Sequence, residues 1–155
     1  MKSLLLKIHG LLVGVGTALQ SPLLLAVRLY WGWGFFQTGK GKWMHLERTT
    51  TYFASLHIPA PKLNAILAAG TECTGGLLLL LGLFSRFASP ALIGVMCVAY
   101  ATADQQALRG IFTDPDKFVS ADPFLFLFAS LLIFVFGPGF FSLDAWIFKS
   151  GRKNR

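Results

Sequence analysis

Glu72 lies inside an apolar run over residues 63–84 that includes an unbroken leucine stretch at 77–81. Such a run is about as long as a bilayer core is thick, so a carboxylate within it needs a counter-charge or a proton. Arg28 is the expected partner. Counted at about 1.5 Å per residue, Arg28 lies roughly 9 Å into a first span starting at Pro22, and Glu72 roughly 18 Å into the antiparallel second span measured from Phe84. An extended arginine covers most of that difference, so a salt bridge or a shared polar cavity is expected. By the same count Gln37 reaches nearly the depth of Glu72, Lys42 follows just outside, and Tyr100 and Asp104 lie at the end of the third span on that side. Arg28, Gln37, Lys42, Glu72, Tyr100 and Asp104 thus form a candidate buried polar site, able to hydrogen-bond a ligand's oxygens and move protons. The alternative is a pair that only fixes helix packing. Asp122, directly before Pro123, reads as a helix N-cap.

Other chemistry finds less support. Cys73 and Cys97 fall at similar depths on neighbouring spans. A redox pair would need their Cα atoms within about 7 Å; each also fits as a small apolar residue. The sequence has no CxxC, no haem-attachment CxxCH and no His/Cys cluster with zinc spacing, so no metal site is expected. His9, His45 and His57 all lie outside the spans, where they cannot face each other across a bundle as haem ligands. No catalytic triad, phosphate-binding loop or dinucleotide fingerprint appears, so no catalytic residue is assigned. Gly32, Gly34, Gly75 and Gly76 read as close-packing positions within spans.

These side chains need a membrane bundle to hold them. Of 155 residues, 54% are hydrophobic and only 14% charged, and 15 are phenylalanine. Mean hydropathy is +0.60. A soluble domain carries nearer a quarter charged residues, so the fold class is all-α and membrane-embedded. Four spans are expected, at about 22–38, 63–84, 87–104 and 123–137, in one domain over residues 1–155. A polar, basic connection with a short surface helix joins the first two spans, stopped by Pro59 and Pro61. Residues 105–122 read as a turn-rich loop. Aromatics at the span edges, among them Trp31, Trp43 and Trp146, fit an interfacial belt.

The net charge of +7 does not imply nucleic acid, because the basic residues sit mostly at the ends of apolar runs and no groove-reading motif is present. It fits lipid headgroups. Residues 3–20 repeat apolar side chains at i, i+3 and i+4 but are interrupted by Lys7, His9 and Gly10, and are expected to form an amphipathic helix on the membrane surface. A cleaved signal peptide is the alternative. With four spans, Lys2, Lys7, Arg86 and the basic tail over 145–155 share one side, opposite Lys40, Lys42, Arg48, Lys62, Arg109 and Lys117. The dense tail favours termini in the cytoplasm of a bacterial-type inner membrane.

The stretch from Arg28-Leu29-Tyr30-Trp31-Gly32 through Gly39-Lys40-Gly41-Lys42 resembles the first-span signature of the DoxX family. The segment Leu56-His57-Ile58-Pro59-Ala60-Pro61, with Glu72-Cys73-Thr74-Gly75-Gly76 and the leucines before Gly82, resembles its second-span signature. The resemblance covers about residues 22–144. It implies a four-helix inner-membrane protein, with Arg28, Gly39, Lys42, Glu72 and Gly76 as family-type positions, associated with membrane redox complexes. The expected function is therefore an inner-membrane subunit of a redox system that is either non-catalytic or interacts with a quinone. Another membrane or redox protein would supply electrons. The alternatives are a membrane scaffold or assembly partner without a ligand, and a small solute carrier that attracts an anion through Arg28 and Lys42.

Overall fold

The computed structural model describes residues 2–150, with side chains described over 4–147; the end of the basic tail, including Arg152, Lys153 and Arg155, lies outside the described residues. Among the described residues every regular element is helical. The helices are α1 (Lys2–Met44), α2 (Leu46–Ser55), α3 (Pro61–Leu81), α4 (Ser85–Thr102), α5 (Gln105–Arg109), α6 (Pro115–Ser120), α7 (Pro123–Phe136) and α8 (Leu143–Ser150). Helix α1 packs on α3, α3 on α4, α4 on α7 and α7 back on α1, closing a four-helix ring. Two helical stretches, Leu4–Met44 and Pro61–Leu81, are long and apolar enough to cross a membrane. The core holds Phe35, Leu79, Leu92, Met96 and Ile133.

The expected boundary at Pro22 is absent: α1 runs through it without a break. Proline removes one helix hydrogen bond, a loss that membrane helices can absorb. The separate helix over 3–20 is therefore replaced by a continuous extension of α1. Over the described side chains of 4–20 every residue is exposed, and burial begins at Ser21. The loop over 105–122 is likewise more ordered than its turn signals suggest, containing α5 and α6. The Asp114 carboxylate accepts the Lys117 backbone N–H at the start of α6 (3.3 Å).

Lipid gives helices little hydrophobic reason to associate, so contact depends on how closely their backbones approach. Glycines provide that approach between α1 and α3. A Cβ on Gly39 would stand 2.5 Å from the Cys73 nitrogen, and one on Gly76 would stand 2.6 Å from the Phe36 nitrogen. A Cβ on Gly32 would meet the Leu80 nitrogen at 2.9 Å. Because the opposing atoms are backbone, no side-chain rotation relieves these contacts.

The α3–α4 turn is held by residues distant in sequence. Gly82 ends α3 in the left-handed conformation (φ 65°), with Leu83 N–H donating to the Leu78 carbonyl and Gly82 N–H to that of Leu79. Phe84 has no capping side chain. The Asp144 carboxylate supplies the cap for α4, accepting the N–H groups of Phe84 (2.8 Å) and Ser85 (3.1 Å). Arg28 joins the same assembly. Its Nε donates to the Leu79 carbonyl (2.9 Å), Nη2 to that of Leu80 (3.1 Å), and Nη1 to those of Pro138 (2.6 Å) and Phe141 (2.8 Å). One buried guanidinium therefore ties α1, the end of α3 and the loop after α7 together.

Two substitutions test this arrangement by thermal unfolding of the purified protein in detergent. Gly39→Leu is expected to destabilise by about 1–3 kcal/mol through overpacking, whereas Gly41→Leu, where a Cβ would meet nothing within 4 Å, leaves the midpoint unchanged or raises it through better helix propensity. Arg28→Lys keeps the charge but offers one nitrogen in place of three. It is expected to cost about 1–3 kcal/mol for each buried carbonyl left unpaired, and an unaltered midpoint would contradict the clamp.

Candidate functional site

Glu72 is 1% exposed, and its partner is Lys42. The lysine ammonium lies 2.5 Å from each carboxylate oxygen, and its side chain is 28% exposed. The expected Arg28–Glu72 pair does not form. Its members lie at different levels, because Arg28 abuts Gly82 while Gly39 abuts Cys73. Ten residues separate Gly82 from Glu72, roughly 15 Å along α3.

Side-chain direction explains both outcomes. In a helix, long side chains lean toward the N-terminus. Arg28 therefore reaches away from Glu72, toward the end of α3. Lys42, in the last turn of α1, reaches back one turn to the level of Gly39 and Cys73. A count of axial rise alone treats both directions as equal and so pairs the wrong cation. Its start at Pro22 also carries an error of about 9 Å, since α1 and α3 meet with Gly39 against Cys73 and Gly32 against Leu80.

The remaining expected site residues divide. Gln37 is exposed. It lies two residues from buried Phe35, which turns it to the far side of α1. Tyr100 is buried, but its hydroxyl donates to the Phe118 carbonyl (2.8 Å) and its ring stacks on Phe118 at 4.8 Å, fastening the loop that precedes α7. Asp104 does line the same cavity as Lys42 and Glu72. Asp122 joins it there: the expected N-cap role fails, since its side chain makes no capping hydrogen bond to α7. Cys73 points its thiol toward the Phe36 carbonyl (3.9 Å), and both cysteines are free rather than paired. Among the described residues no group of three or more His, Cys, Asp or Glu side chains could hold a metal ion.

The cavity has a volume of about 540 Å³ and is walled mainly by apolar side chains of α2, α3, α4 and the start of α7. Tyr52, Phe53 and Leu56 cover it from α2, and Phe126 closes it from α7. That size falls within the range of small-molecule sites, and the combination of apolar walls with a few convergent polar groups is their usual chemistry. The polar groups are the Lys42–Glu72 pair, with Asp104, Asp122 and Asn64 nearer the loops. The aromatic contribution of α2 was not anticipated. Its signal was the adjacent Tyr52-Phe53 on a short helix that buries no residue of its own.

Comparison with known proteins places these features in a family. The DoxX family model matches residues 23–105, more than half of the chain. A protein of Bacillus subtilis (strain 168) named "Putative oxidoreductase CatD" is 29% identical over 130 residues, covering 84% of this chain and 90% of its own length. No solved structure matches. With the paired Lys42 and Glu72 held across two membrane-type helices, and the family match running through both, the chain is a membrane protein of the DoxX family.

Proposed function

We propose that this chain is an inner-membrane subunit of a redox system and that its Glu72–Lys42 cavity receives the head group of a quinone. The observation that carries the reading is a carboxylate 1% exposed, answered by a lysine, at the wall of an apolar cavity of about 540 Å³. The oxidoreductase in the name of the Bacillus subtilis relative supports the same class of role. Four spans, formed by α1, α3, α4 and α7, and termini in the cytoplasm complete this reading.

A quinone stores two electrons and two protons as its quinol, and the electrons come from a partner redox protein. The residues of this chain handle the head group and the protons. Lys42 donates a hydrogen bond to a quinone oxygen from its partly exposed ammonium. Glu72, held close to that ammonium, accepts or releases a proton at its carboxylate oxygens. Asp104 and Asp122, toward the loops, exchange protons between the cavity and water. Arg28 contributes to the bundle rather than to the ligand, its donors being engaged by backbone carbonyls.

Anion transport is the weaker alternative. Arg28 is committed elsewhere, Lys42 is neutralised by Glu72, and two further carboxylates line the cavity, so an anion meets repulsion there. A scaffold role has one specific observation in its favour, the exposed apolar stretch of α1 before Ser21.

Binding of a quinone analogue to the purified protein tests the reading. Glu72→Gln is expected to weaken binding about tenfold or more, the scale of a hydrogen bond involving a charged group. Gln37→Ala, on the far face of α1, is expected to bind as the parent does. Equal affinity in Glu72→Gln and the parent would remove the head-group site.

A further inference from the structure

The cavity at Glu72 does not end within the bundle. Along α4 its lining extends from Ala103, beside the loops, back to Ala91, a distance of roughly 18 Å along the helix axis. Leu92, adjacent to Ala91, packs where a Cβ on Gly75 would stand, one turn beyond Glu72 toward the far end of α3. The cavity therefore reaches past the ion pair, away from the mouth at Asp104 and Asp122. Its lining residues Ala91, Gly94 and Val98 recur at i, i+3 and i+7 on one face of α4, and all three are exposed. Leu67 of α3, also exposed, lines the cavity nearer its mouth. A Cβ placed on Gly94 would meet nothing within 4 Å, so the small residues leave open space rather than a packed contact. These positions lie in the middle of α4, which on the four-span reading is the depth of lipid hydrocarbon. The opening is apolar and continuous with the charged site.

We infer that the cleft between α3 and α4, at Ala91, Gly94 and Val98, is a lateral portal through which a lipid-dissolved ligand enters and in which its isoprenoid tail lies while the head group sits at Lys42 and Glu72. The inference rests on the quinone reading and adds the ligand's class and route: a long-tailed quinone drawn from the bilayer. A polar head alone would need no apolar continuation. A cleft built from alanine, glycine and valine between leucine-bearing helices accommodates a chain of branched methyl groups by van der Waals contact. Ala91, about one turn beyond the level of Glu72, then decides how much of the tail is accepted.

The test uses the full chain in lipid nanodiscs and two probes, a tailless benzoquinone and a long-tailed ubiquinone, with Ala91→Trp and the control Gly14→Trp, at an exposed position of α1 outside the cavity where a Cβ would meet nothing within 4 Å. Tryptophan at position 91 fills the apolar end of the cleft and displaces several tail carbons. The long-tailed probe is therefore expected to bind at least about tenfold more weakly, with the tailless probe unchanged. Gly14→Trp is expected to bind both probes as the parent does. If Ala91→Trp binds the long-tailed probe as well as the parent, or loses both probes equally, the portal is overturned while the head-group site stands. If the parent protein binds neither probe, the quinone reading itself falls, and the portal with it.

Discussion

A carboxylate taken out of water inside a helical bundle must be answered by a charge or a proton, and everything around Glu72 is arranged to supply the charge. The desolvation cost of such a group is several kcal/mol in proteins even after relaxation. Lys42 meets it from the last turn of α1, with both carboxylate oxygens in reach. The lysine keeps partial exposure, so its own desolvation is incomplete. The pair is consequently neutral yet accessible from the cavity, an arrangement suited to exchanging a proton.

That pair depends on backbone approach elsewhere. Lys42 stands three residues after Gly39, and Gly39 lies against Cys73, the neighbour of Glu72. Without the close contact of α1 and α3, the ammonium could not reach the carboxylate. At the other end of the same two helices, Arg28 fastens the end of α3 and the loop after α7 through four carbonyls. The two cations thus have separate tasks: one fixes the frame of the bundle, the other faces the cavity. Their division explains how a small protein can keep a polar cavity open between α2, α3 and α4 without losing the packing of its ring.

Much of this was legible in the residues. The helical class followed from the apolar runs, and the burial of Glu72 followed from a charge where lipid would not accept one. The glycines flanking it correctly signalled close packing. Its partner was not legible from axial rise, because depth alone ignores the lean of helical side chains and the face each residue occupies. Gln37 illustrates the second point: the right depth, the wrong face. Asp122 shows a further limit, since an aspartate before a helix-opening proline has the local form of a cap, yet here the helix begins without its side chain. Pro22 likewise carries the local form of a helix start and sits inside a helix. Tertiary packing decided each of these cases, and no local pattern records it.

A double-mutant cycle measures the pairing of Lys42 with Glu72 directly. Unfolding free energies would be determined in detergent for Lys42→Met, Glu72→Gln and the combined variant. The two residues are expected to couple by about 0.5–3 kcal/mol, the range for groups in contact, so that the double substitution costs less than the two single ones together. Additivity within about 0.5 kcal/mol would contradict the account, because a lysine that does not answer this carboxylate leaves the cavity without its defining charge pair.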